Sequence, residues 1–174
     1  MVLPLTLQPD PFPNNSYTRS TYKKYYRPKL REAYHDICAY TGYSLAGRHG
    51  ELEHFKCVKF YPHLQQQWDN FLWAEWKVNR TKKTKELPLH PKYIELGWFH
   101  LVLDLGEVEV GDACPKEQRP AVQDCINKLG LNDPTLITLR LDFWNNYQTE
   151  EMSLQFLEQK FPYIYYEAQR QGRL

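Results

Sequence analysis

An α+β fold is predicted by three observations. Residues 38–85 read as strand, strand and helix, residues 98–110 as a second hairpin, and residues 122–161 as successive helices. The chain has 174 residues, 42% hydrophobic and 15% aromatic, enough for one domain with a real core.

The elements follow in order. Residues 1–17 carry Pro4, Pro9, Pro11 and Pro13 and read as an extended arm. Pro28 is expected at the first turn of a helix, with Leu30, Ala33, Tyr34 and Ile37 at helical spacing. Arg19, Lys23, Lys24, Arg27, Lys29 and Arg31 alternate there with tyrosines, a mixture suited to phosphate contact and base stacking, or to a solvated helix packed through its tyrosines. Cys38–Gly42 reads as a short strand and turn, and Glu51–Phe55 alternates as the second strand of that hairpin. Trp68, Phe71, Leu72, Trp76 and Asn79 predict a turn leading into a helix.

Trp98–Leu103 and Glu107–Val110 flank Gly106 as a hairpin. Val122, Cys125, Ile126 and Leu129 predict a helix closed by Gly130. Asp133 and Pro134 are a helix cap and first-turn residue for a second helix through Leu136, Leu139, Phe143 and Tyr147. A third helix is expected to hold Leu154, Leu157 and Phe161.

Charge divides the chain into a basic part, 1–92, and an acidic part, 93–174, within one integrated domain. The first holds 15 Lys/Arg against 8 Asp/Glu and the second 7 against 13, which together give the net +1. The basic half suits a polyanionic partner. No apolar run is long enough for a membrane span, and no signal-peptide pattern opens the chain, so a cytoplasmic protein without a membrane partner is expected. Cys38, Cys57, Cys114 and Cys125 form no CxxC pair and are expected as free thiols, with no structural zinc.

The chemistry-bearing residues gather between Gly50 and Lys85. Cutting a phosphodiester with one metal ion needs a base near neutrality, a hard cation held by oxygen ligands, and cations for the strand. His54 can be the base, and the Glu53 carboxylate and Asn79 amide oxygen can be ligands. Neighbouring strand residues face opposite sides, so Glu53 and His54 can meet one ion only where the strand ends or distorts. Lys82 and Lys83 follow Asn79 by one helical turn.

In order and spacing, Glu53-His54, Asn70 and Asn79 resemble the HNH endonucleases of the ββα-metal fold, in their H-N-N variant. The nearest branch has the pattern C-x-Y-C-G, E-H-F-x-P-K, D-W-x-N-L, C-N-x-x-K and a late L-G-L-N-x-x-x-L-x-x-x-R. This chain has Cys38–Gly42, Glu53–Phe55 with Lys59, Trp68–Phe71, Val78–Lys82, and Leu129–Asn132 with Leu136 and Arg140. That branch includes the PtuB-like nucleases of Septu and retron-linked antiphage systems, which act beside an SMC- or ABC-like ATPase. The resemblance implies a ββα-metal core with an N-terminal helix and a helical C-terminal lobe. It implies His54 as general base, Glu53 and Asn79 as ligands of one Mg²⁺ or Mn²⁺, and Asn70 as holder of the loop that orients His54. Lys59, Lys82 and Lys83 would contact phosphate, and DNA rather than RNA would be the substrate.

The chain departs from the branch at the cysteine pairs. Thr41 stands at the partner position of Cys38, and Glu75 and Val78 replace the second pair. Packing by Trp73 and Trp76 is expected in place of a zinc knuckle. The alternative function is therefore a degenerate nucleic-acid-binding or partner-docking subunit that keeps the frame without catalysis.

Overall fold

The computed structural model describes residues 19–174, with side chains from residue 23 onward; the proline-rich arm predicted at 1–17 lies outside them. Helix α1 is Arg19–Ala33. Tyr26, Leu30, Ala33 and Tyr34 form its buried stripe. Pro28 sits inside this helix rather than at its start. It is exposed, so the carbonyl one turn back that it leaves without a helical donor faces water.

Cys38–Gly42 is a turn, not the first strand of a hairpin. Gly42 N–H returns to the Cys38 carbonyl at 3.0 Å, and only an isolated bridge joins Ile37 to Ser44. The partner of β1 (Gly50–His54) is instead β2 (Phe71–Glu75), antiparallel, with Glu53 opposite Leu72 and His54 opposite Phe71. Helix α2, Trp76–Lys82, follows directly. The apolar run Phe71–Ala74 is buried at every position, so it shows no alternation, and its strand character is hidden from a periodicity reading. The order strand, strand, helix holds, but His54 ends the first strand rather than lying in the second.

Two further strands, β3 (Phe99–Val102) and β4 (Glu107–Val110), pair antiparallel as a separate ribbon. Helix α3 (Arg119–Leu129) ends on Gly130, whose φ of 62° is left-handed. Helix α4 (Pro134–Gln148) is capped by Asp133, which accepts from Thr135 N–H. The expected third helix is two: α5 (Leu154–Lys160) and α6 (Pro162–Arg170), broken where Pro162 supplies no N–H.

The late motif works on the ribbon. The Asn132 side chain takes Val108 N–H at 2.8 Å and donates to its carbonyl at 3.0 Å. Arg140 donates to the Gly106 carbonyl at 2.9 Å. The buried residues form one cluster that includes Leu72 and Val78 from the basic half and Cys125 and Leu129 from the acidic half. Among the described residues no helix is long and apolar enough to cross a membrane.

The four positions of the absent cysteine pairs are packed. Glu75 N–H points at Cys38 Sγ at 3.4 Å, Thr41 stands in the turn, and Val78 is buried. Burial pushes the Cys38 thiol and the Glu75 carboxyl up from their ordinary values. Trp73 is buried, with Nε1 donating to Asp36 at 3.0 Å. Its ring covers Gly50 so closely that a Cβ there would collide with it. Trp76 does not share this role: it is exposed, with Arg80 over its ring.

Candidate functional site

Strand β1 presents its side chains alternately, so Glu51 and Glu53 share one face. Helix α2 packs there and supplies Asn79 and, one turn later, Lys82. Lys82 shares the inward side of α2 with Val78, and its side chain is fully buried. Its Nζ lies 2.6 Å from Glu53 Oε1 and donates to the His54 carbonyl at 3.1 Å. Burial raises the Glu53 carboxyl above its usual value, against the opposing pull of the Lys82 ammonium.

Asn79 was expected beside Glu53. Its amide nitrogen donates instead to Glu51 Oε2 at 2.9 Å. Glu51 is thus a member of this face that motif reading missed, although it stands two residues before Glu53 and must share its side. Lys82, expected at a phosphate, faces inward. Lys59 and Lys83 are exposed, as a backbone-contacting cation needs to be.

His54 is buried and closes β1. Its Nε2 lies 3.0 Å from the Gln65 carbonyl. A carbonyl only accepts, so Nε2 carries the hydrogen, and in the neutral ring Nδ1 is the basic nitrogen. The ring meets Phe71 edge-on with centroids 5.3 Å apart.

Asn70 holds the loop between them. Its Oδ1 accepts from Lys56 N–H at 2.7 Å, and its Nδ2 donates to the Lys56 and Leu64 carbonyls at 3.0 and 3.2 Å. One buried amide therefore ties both ends of the loop after His54, next to the carbonyl that fixes the imidazole. A buried side chain that fills three hydrogen bonds this way rigidifies what it holds.

The site thus contains a tautomer-fixed imidazole, an amide clamp, two carboxylates and an amide on one face, and an ammonium already paired to one carboxylate. The donors are the hard oxygens that Mg²⁺ or Mn²⁺ takes, and they fit such an ion in kind. In the present pairing Glu53 is neutralised by Lys82, so an ion there must compete with that ammonium. Among the described residues no three His, Cys, Asp or Glu side chains converge as a metal cluster. No family model matches the chain, and no curated protein matches it by sequence.

Proposed function

We propose that this chain is a divalent-metal-dependent endonuclease of the H-N-N type, hydrolysing phosphodiester bonds of DNA. The observation that carries the reading is the Asn70 clamp together with the Gln65 carbonyl on His54 Nε2. A structural histidine needs no fixed basic nitrogen, whereas a general base does.

His54 Nδ1 accepts the proton of the attacking water. Asn70 keeps the ring in register by holding the loop. Lys59 and Lys83 bind the strand through phosphate. Glu53 and Asn79, with Glu51 beside them, would hold the ion. When bound, that ion supplies Lewis-acid stabilisation of the charge gathering on the phosphoryl and leaving oxygens. The resemblance of the motifs extends the proposal to antiphage defence beside an SMC- or ABC-like ATPase.

A second reading is favoured by one observation: the Lys82 ammonium sits where it cancels the Glu53 charge. On that reading the chain is a nucleic-acid-binding or docking subunit with a vestigial frame. Plasmid incubated with Mg²⁺ or Mn²⁺, with and without an ATPase partner, separates the two. The nuclease reading expects nicking by the wild type and a loss of about 100-fold or more in His54→Ala. Binding without cutting, equal in both proteins under all conditions, overturns it in favour of the second.

A further inference from the structure

Arg140 belongs to the late motif, and the proposed chemistry leaves it unused. It is 2% exposed, yet no carboxylate of the described residues lies within ion-pair distance of it. Its one protein hydrogen bond from a terminal nitrogen goes to the Gly106 carbonyl, and its Nε is buried without a partner. The Tyr43 hydroxyl lies against the guanidinium, which opposes the burial that pushes that phenol up to about 12. A buried cation without a counter-charge is costly, because desolvation is not returned by an anion.

Arg140 lines a cavity of about 40 Å³. Two more polar groups reach it: the hydroxyls of Tyr40 and Tyr163, both buried and both without a hydrogen-bond partner. Burial holds both phenols well above the usual range, so each keeps its proton and can donate. The remaining wall is largely apolar, formed by Leu87, Leu89, Ile94, Phe99, Val108 and Leu129 among others. Ala39, Tyr40, Leu89 and Phe99 are only half-buried, which gives a small molecule a way in.

We propose that this cavity binds a small monocarboxylate, its charged end on Arg140 Nε and the Tyr40 and Tyr163 hydroxyls, its short hydrocarbon end against the apolar wall. Three donors and no carboxylate select an anion. The apolar wall selects against inorganic phosphate, which would leave most of its oxygens unbonded there. The volume excludes a nucleotide. Occupancy would join the Cys38–Gly42 turn beside the candidate site to the ribbon and helices of the acidic half, since both contribute to the wall.

The test is a titration with butyrate, followed by thermal unfolding and by a high-resolution crystal structure of soaked protein, beside 1-butanol and phosphate as probes. Saturable stabilisation by butyrate alone, with its carboxylate against Arg140, is the expected result. Tyr40→Phe and Tyr163→Phe keep the bulk of each ring, and each is expected to weaken butyrate binding about tenfold. Ordered waters alone in the cavity at saturating butyrate overturn the proposal. So does equal stabilisation by butanol, preference for phosphate, or undiminished binding in both phenylalanine variants. Arg140→Met is informative only if its circular dichroism matches the wild type. The tyrosine variants decide the matter in either case.

Discussion

Lys82 Nζ lies 2.6 Å from Glu53 Oε1, with the lysine fully buried and the carboxylate nearly so. This pair fastens helix α2 to the end of β1 at the candidate centre. It also makes the strongest demand on charge anywhere near His54, because neither group can turn to water.

Lys82→Met tests the pair through stability. Removing one partner of a buried ion pair costs about 3–5 kcal/mol. It also removes the opposition to burial at Glu53, so the carboxyl, already raised, rises further. A group whose pKa is higher folded than unfolded takes up protons on folding. Its favourable contribution is full below the unfolded pKa and is lost as pH rises through the folded one. The variant should therefore lose more stability against wild type at about pH 8 than at about pH 5, read by urea unfolding. A deficit that does not grow with pH would sink the assignment of Glu53 as the responsible group.

Asn70→Ala should unfasten the loop. It strands Lys56 N–H and two carbonyls, at a cost of about 2–3 kcal/mol. Asn70→Asp keeps the acceptor for Lys56 N–H but sets a carboxylate against the Lys56 and Leu64 carbonyls. Both variants should lower nicking more than they lower the folded fraction. Circular dichroism together with plasmid assays checks this, and full activity in a folded Asn70→Ala contradicts the clamp.

Glu51→Ala separates the Asn79 contact from folding. Glu51 is only half-buried, so the stability change should stay within about 0.5 kcal/mol. On the nuclease reading, nicking should fall because Asn79 loses the acceptor that orients its amide. Rates measured across a Mn²⁺ titration read the outcome, and unchanged activity at every concentration would remove Glu51 from the site.

Glu167→Gln probes the acidic half. The buried Glu167 carboxylate accepts from Leu101 N–H at 3.0 Å and from Arg170 at 2.8 Å, and lies 3.0 Å from His100. Burial alone would raise its pKa, but bonds from Arg170, Leu101 and His100 prevail and hold it below the ordinary value. Its contribution is therefore present above the unfolded pKa and lost as pH falls through the folded one. The glutamine should cost about 3 kcal/mol at neutral pH and progressively less below about pH 4, by thermal unfolding.

Much of this architecture was readable before any coordinates. Asp133-Pro134 and Gly130 announced the boundary between α3 and α4, because caps and left-handed turns demand those residues. Asn70 was legible as a loop holder through its motif. Other features were hidden for physical reasons. Phe71–Ala74 lies buried on both faces, so its strand left no alternation to detect. Lys82 looked like part of a solvated run, although one helical turn from buried Val78 is an inward position. Gln65 serves His54 through a main-chain carbonyl, and no side-chain code can announce that.

Because the same lysine nitrogen also grips the main-chain oxygen of residue 54, it cannot swing away from its acid without releasing that peptide. Any newcomer that takes over the carboxylate thereby loosens the hinge under the imidazole. Loading of the pocket and mobility of the base are mechanically one event.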